Sequence, residues 1–440
     1  MNKTARQTAF EILLRMEKDG AFSNLTIDSV LSTSKLDTRD KAFVSALVYG
    51  TSEKKLTVDY QLSQYLLNPI NKLKKDVLVI LRLSAYQIFF MDKVPSSAAV
   101  NEGVNLARNN KMAFAASMIN AVLRKCVNNG LVYDEDLNEN ELLSVKYSVP
   151  LWLVNKWIKE YGCYETENLL MAFSKKAETI IRVNTLKTTA DELKLMLEKF
   201  GIKSEFCSVE NSLILNLGGM SIEELDLYKK GYFHVQDIAS QLCAEAVCAT
   251  KNKTVFDLCS APGGKAFTIA QHMKNSGKIF CFDLYEHRVR LIADGAKRLG
   301  IDIINAVVGD ACLFNDTLPE ADIVLCDVPC SGFGIIRRKP EIRYKDPDSV
   351  KGLPSLQLEI LENGSKYVKD GGRLIYSTCT LNKGENEKVC LKFLERNPEF
   401  SSVKPLKRIS DETMVTLMPH KNNSDGFFIA AFERKGKQNA

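Results

Sequence analysis

The sequence predicts an α/β protein in three parts. These are an all-helical bundle over residues 1–130, a helical segment with a small α/β subdomain over 141–235, and a larger parallel-sheet α/β domain over 236–440. Three observations carry the prediction. Apolar residues before position 130 recur only at helical spacing, residues 127–141 (VNNGLVYDEDLNENE) turn abruptly acidic and asparagine-rich, and from Thr254 the chain repeats strand, turn and helix. A chain of 440 residues, 45% apolar and 26% charged, can bury such cores. The same composition excludes disordered, collagen-like and small disulfide-scaffold classes.

In the bundle, Phe10, Leu13 and Leu14 mark one helix, and Phe43, Ala46 and Leu47 another that Gly50 should stop. Val77, Leu78, Leu81 and Ala85 line a third face. Ser96-Ser97 should cap the helix that holds Val100 and Val104, and Ala115, Ile119, Val122 and Leu123 close the set. The acidic stretch reads as a linker. Glu141–Ala177 is then helical, with Trp152 and Trp157 spaced for core packing. Ile180–Leu186 and Ser212–Leu217 read as strands flanking a helix at Ala190–Phe200. The βαβ pattern that follows has strands at Thr254–Leu258, Lys278–Phe282, Ile304–Val308, Ile323–Cys326 and Gly372–Ser377, with Gly426–Phe432 as a final antiparallel strand.

The net charge of +5 is unevenly placed. Residues 1–130 hold 18 Lys and Arg against 11 Asp and Glu, while the rest is nearly neutral. The start, Met1–Gln7, has no apolar core of signal-peptide length behind it, and Val77–Leu83 is interrupted by Arg82. We therefore expect a cytoplasmic protein with no membrane span and twelve reduced cysteines. Cys326 and Cys330 form a CxxxC without a second pair and the four histidines are scattered, so no metal site is expected.

Ligands of a doubly wound sheet bind at the carboxyl ends of its strands. There stand Asp257, Asp283, Asp310 and Asp327, and Ser377-Thr378-Cys379-Thr380 after the fifth strand. The first turn, Cys259-Ser260-Ala261-Pro262-Gly263-Gly264-Lys265, lets a backbone approach a ligand at a helix N-terminus. It is neither a P-loop nor GxGxxG. Asp283, 19 residues after Gly264, is placed for ribose hydroxyls, and Asp310 for an adenine amino group. Sugar and base contacts without a phosphate cradle suit S-adenosylmethionine; a turn of structural use only is the alternative.

Asp327-Val328-Pro329-Cys330-Ser331-Gly332 brings one thiol to the cleft and Cys379 brings another. Pyrimidine carbon 5 is too weak a nucleophile to take a methyl group unaided, and a thiolate adding to carbon 6 activates it. A carboxyl group bonded to the cytosine edge favours that addition. The residues themselves leave open which thiol attacks. The attacking thiol needs a pKa below its free value of about 8.5, which Lys265 and a cationic methyl donor would favour.

The segments VFDLCSAPGGK, CDVPCSG and YSTCTLNKGENEKV resemble the motifs of the NOP2/Sun family of RNA cytosine-C5 methyltransferases, with RVNTLK (182–187) and VQDIASQL (235–242) similar to its upstream elements. The similarity spans about residues 140–440. TARQTAFEIL, RDKAFVSALVYG and AASMINAVLRK are similar to the NusB RNA-binding fold. The resemblance implies a class I methyltransferase (Rossmann-like) domain with a mostly parallel seven-stranded sheet, an RRM-like subdomain before it, and a monomer acting on 16S ribosomal RNA. It also implies that Cys259 through Lys265, Asp283, Asp310 and Asp327 bind S-adenosylmethionine. By the same resemblance, Asp327 stands between cofactor and base, Cys379 is the nucleophile and Cys330 assists release. Ser260, Ala266 and Val328 depart from the usual Ala, Thr and Ala. A non-catalytic RNA-binding factor and a DNA methyltransferase are the competing readings.

Overall fold

The structure, a computed structural model, describes residues 3–19 and 23–436. Its internal contacts form two compact units: the chain to Ser174 with Arg338–Lys345, and Lys175–Arg337 with the chain from Asp346.

The first unit is built from helices α1 (Ala5–Asp19), α2 (Ser23–Thr33), α3 (Thr38–Glu53), α4 (Lys55–Ser63), α5 (Lys75–Phe90), α6 (Ser96–Asn109), α7 (Ala116–Asn129), α8 (Glu139–Tyr147), α9 (Leu151–Tyr161) and α10 (Cys163–Phe173). Every residue of α5 from Val77 to Ala85 is buried, as expected for a helix apolar on all sides. The charge inside that run is neutralised. Arg82 donates to both oxygens of Asp59 at 2.6 and 2.7 Å and to Glu17 at 3.0 Å. Gly50 does not stop α3 but lies within it, because a side chain there would collide with the Tyr86 ring of α5. Nor do Ser96 and Ser97 cap α6: Pro95 precedes the helix and no side chain accepts its first amides.

The segment read as a linker is tied down. The Gln61 amide bonds both backbone groups of Val132, at 2.7 and 3.0 Å, and Asn138 with Glu141 forms a capping box that starts α8. Trp157 is fully buried against Phe173, whereas Trp152 is only half-buried. Residues 338–345 insert into this unit. The buried Arg343 guanidinium donates to the carbonyls of Glu53, Tyr147 and Ser148 at 3.2 to 3.4 Å, where α3 and α8 end.

The second unit opens with β1 (Thr179–Val183), α11 (Ala190–Lys199), β2 (Lys203–Phe206), β3 (Ser212–Asn216), α12 (Asp226–Lys229) and β4 (Phe233–Val235). The strands form an antiparallel sheet in the order β2-β3-β1-β4, the ferredoxin-like arrangement. Two of its strands carry no periodic signal: β2 is mostly polar and β4 is three residues long.

Then come α13 (Ile238–Ala246), β5 (Lys253–Asp257), α14 (Gly264–His272), β6 (Gly277–Asp283), α15 (Glu286–Leu299), β7 (Ile304–Val308), β8 (Ala321–Asp327), α16 (Leu353–Ser365), β9 (Val368–Thr378), α17 (Glu387–Arg396), β10 (Phe400–Val403), β11 (Met414–Leu417) and β12 (Phe427–Arg434). The sheet runs β10-β12-β9-β8-β5-β6-β7, and an eighth strand, β11, pairs with β12 alone. From β9 to β7 the pairings are parallel; β10, β11 and β12 pair antiparallel. The six sequence-read strands are all present, within a few residues of their expected bounds, and β10 and β11 are additional. The two-residue period sorts the core. Val255, Ile279 and Leu325 face α13–α15, whereas Phe256, Val324 and Leu374 face α16 and α17. The order in which strands are added reverses at β5, with β6 and β7 on one side and β8 and β9 on the other, so a crevice opens at the carboxyl ends of the parallel β5 and β8.

Candidate active site

β5 ends on Asp257, and its turn leads into α14 through Gly263, whose φ of 102° suits glycine. The first amides of α14 face the crevice as helix N-termini do. Burial of Asp257 pushes its carboxyl up to about 7. Its oxygens and Ser260 Oγ are buried without a well-formed hydrogen bond, and the looser approach of Ser260 and the Cys259 amide only partly offsets that burial. A polar ligand with donors therefore fits this turn better than an apolar one.

Asp283 ends β6. Its Oδ2 pairs with Arg288 at 3.2 Å, and Arg288 also donates to the Ala261 carbonyl at 3.0 Å, linking this carboxylate to the glycine turn. Asp310 follows β7 and accepts the Cys312 amide at 2.9 Å. It borders an open cavity of about 230 Å³ lined by Leu258, Phe282, Val308, Phe314 and Tyr367, a largely apolar slot of a size for a flat ring.

The remaining site residues converge. β8 ends on Asp327 beside Ser377 of β9. Asp327 Oδ1 accepts the Ser377 hydroxyl at 2.7 Å, and Oδ2 accepts Lys265 Nζ at 2.5 Å. Each oxygen keeps a lone pair for a further donor. Lys265 is held as a cation by Asp327 and lies 5.1 Å from the centre of the Phe427 ring. The thiols of Cys330 and Cys379 stand 3.2 Å apart, both half-buried. Cys379 is drawn below its ordinary thiol range, chiefly by its hydrogen bond with Cys330, with Lys265 a lesser contributor. Cys330 is pushed far up by that same bond and by burial. The largest aid to a thiolate is thus the neighbouring thiol rather than the lysine.

Cys326 is buried in β8 and its thiol is pushed up by burial. Among the described residues, no group of three or more His, Cys, Asp or Glu is placed to hold a metal ion, and no helix is long and apolar enough to cross a membrane.

Sequence reasoning placed Ser377 at a strand end without a role and passed over Gln357, Glu385 and Asn386 behind the thiols. Ser377 fixes Asp327, while Glu385, Asn386 and Gln357 fix the cysteine turns. Glu385 and Asn386 lay inside the quoted motif NKGENEKV. Their signal was an Asn/Glu-rich run directly before a helix with apolar residues on one face.

The 16S rRNA methyltransferase RsmB/F family model matches residues 245–433, the NusB family model residues 3–128, and an RsmF/B-like ferredoxin-like domain model residues 149–220. The chain is 36% identical over 449 residues to a Bacillus subtilis (strain 168) protein named "Probable ribosomal RNA small subunit methyltransferase B", covering 99% of this chain and 100% of the relative. A Synechocystis protein of the same name is 33% identical, covering 98% and 99%. Among solved structures, PH0851 superposes with a TM-score of 0.82 at 28% identity, covering 99% of this chain and 100% of the other. A methyltransferase homolog protein from Pyrococcus horikoshii superposes at 0.58 and 25% identity, covering 68% and 100%.

Proposed function

The chain belongs to the RsmB/F family of 16S rRNA methyltransferases, and from that premise we propose that it methylates carbon 5 of a cytosine through a covalent adduct on Cys379. The observation that carries the reading is the pair of thiols 3.2 Å apart beside a carboxylate–lysine pair at the sheet's switch point.

The methyl donor is S-adenosylmethionine, which supplies an electrophilic methyl group when bound. Cys259 through Lys265 and Asp283 would hold it by the glycine turn and a carboxylate, and Asp310 by the adjoining slot. The buried, loosely bonded Asp257 and Ser260 fit a ligand with polar hydrogens at that turn.

The chain's own residues divide the remaining work. Cys379 Sγ adds to ring carbon 6, and the displaced electron pair makes carbon 5 nucleophilic. Asp327, steadied by Ser377 and Lys265, has acceptor capacity left for the amino edge of cytosine. After carbon 5 is methylated its proton passes to water, the carbon 5–hydrogen electron pair re-forms the ring double bond, and the Sγ–carbon 6 bond breaks with its pair going to Cys379. Cys330, held protonated, donates its S–H to the departing sulfur. A target cytosine enters such a crevice only out of its stack, and the basic surplus of residues 1–130 suits RNA phosphates.

Transfer of labelled methyl groups to ribosomal RNA tests the proposal. Cys379→Ala is expected to lose at least about a thousandfold in rate, the scale on which covalent catalysis depends on its nucleophile. Transfer within tenfold of the unaltered enzyme would overturn the assignment.

A further inference from the structure

Glu385 is fully buried, yet none of its partners is a cation. A buried carboxylate without a counter-charge is poor economy for stability alone, so its three hydrogen bonds call for explanation. Oε2 accepts the Ser331 amide at 2.8 Å and Gln357 Nε2 at 2.9 Å, and Oε1 accepts Asn382 Nδ2 at 2.7 Å. These donors come from three places: the turn after β8, helix α16 and the turn after β9. Only an acceptor-only group with two oxygens satisfies all three at once.

The geometry of the thiols follows from this clamp. Gln357 Nε2 also donates to the Pro329 carbonyl at 2.9 Å, so both peptide groups flanking Cys330 are tied, one to Gln357 and one to Glu385. On the other side, Asn386 accepts the Thr378 hydroxyl at 2.6 Å and donates to the Thr380 carbonyl at 3.0 Å, tying both residues that flank Cys379. Ser331 and Thr380 hydroxyls close the gap at 2.7 Å. Tyr376 binds the backbone carbonyl of Glu385.

We infer that Glu385 is the positioning residue of the reaction: by joining the Cys330 turn to the Cys379 turn it sets the sulfur–sulfur distance across which one thiol activates and then releases the other. The inference deepens the covalent reading above and rests on it for its meaning, but the clamp itself is testable without RNA. The carboxylate also repels a thiolate at Cys330, which keeps that residue the donor and Cys379 the acceptor.

The test uses the full chain as Glu385→Gln, as Glu385→Gln with Asn382→Asp, and unaltered. A glutamine presents a donor where one of three donors arrives. The second change turns the bond at position 382 around and returns a carboxylate to the cluster. With no RNA present, the rate at which iodoacetamide modifies Cys379, read by peptide mass at pH 7.5, reports its thiolate. Glu385→Gln is expected to slow it at least about fivefold, and the double variant to restore it to within about twofold. With RNA and methyl donor, the single variant is expected to accumulate covalent protein–RNA adduct on denaturing gels and the double variant not to. An unchanged alkylation rate in Glu385→Gln overturns the inference. Should the single variant fail to fold, the double variant decides: ordinary Cys379 reactivity upholds the clamp and slow reactivity overturns it. If the unaltered enzyme methylates nothing while the alkylation pattern holds, the functional reading fails and the clamp stands.

Discussion

Cys330 and Cys379 have the same side chain at neighbouring strand ends, and their neighbours make them different. The two share one sulfur–sulfur hydrogen bond, and Glu385 lies behind Cys330, where its charge disfavours a second thiolate. The sequence placed both thiols and Asp327 at one crevice, because strand ends are legible from alternation. It left the nucleophile open from residues alone, since that choice depends on contacts between segments 49 residues apart. Asp257 was legible as a strand end but not as a buried acid whose charge lacks a strong partner. Its pKa of about 7 in the fold lies above the free value of 3.8. The folded protein therefore binds the proton more tightly, and this site's contribution to stability is full below about pH 4 and lost as pH rises toward 7. His234 and His272, lowered to about 3 and about 4 by burial, act in the opposite sense and lose stability as pH falls below 6.5. The difference between Asp257→Asn and the unaltered protein isolates the acid. Melting temperatures are expected to diverge in favour of the variant between pH 4 and 7, and a pH-independent difference would contradict the burial argument.

At the scale of elements, long periodic helices and the parallel strands were legible, and short or non-local pieces were not. β10 and β11 are four residues each and gain their order from β12, which pairs with both. The strap at 338–345, RKPEIRYK, is basic and carries no periodic signal, and nothing local says that Arg343 will be buried among the carbonyls that end α3 and α8. Such carbonyls carry partial negative charge and have no helical partners, so a buried guanidinium satisfies several together. Arg343→Ala removes those bonds and leaves a cavity. It is expected to cost the helical unit about 2–4 kcal/mol, seen as a lower thermal midpoint for that unit, whereas an unchanged midpoint would mean the strap docks without it.

For the whole molecule, the uneven charge of the sequence coincides with a physical division. The basic surplus lies in the α1–α7 part of the first unit, whose α8–α10 stretch is acidic, and the crevice lies in the second unit. Because helices α8–α10 and the strap also belong to the first unit, deletion at residue 130 would strip packed surface, and charge reversal is the cleaner probe. Lys74, Arg108 and Arg124 are exposed on that unit. Their joint replacement by glutamate is expected to weaken RNA binding and to flatten the log affinity against log salt slope by about two to three. An unchanged slope would place the RNA anchor elsewhere.

The covalent route is tested most directly by Cys330→Ser, assayed with ribosomal RNA and methyl donor on denaturing gels. A hydroxyl at 330 is a poorer proton source for the departing sulfur, while Cys379 remains able to attack. The expected result is a slow-migrating protein–RNA adduct that disappears when Cys379→Ala is added. Absence of any adduct in Cys330→Ser, with methylation proceeding at the ordinary rate, would contradict the release role of Cys330 and the paired-thiol mechanism with it.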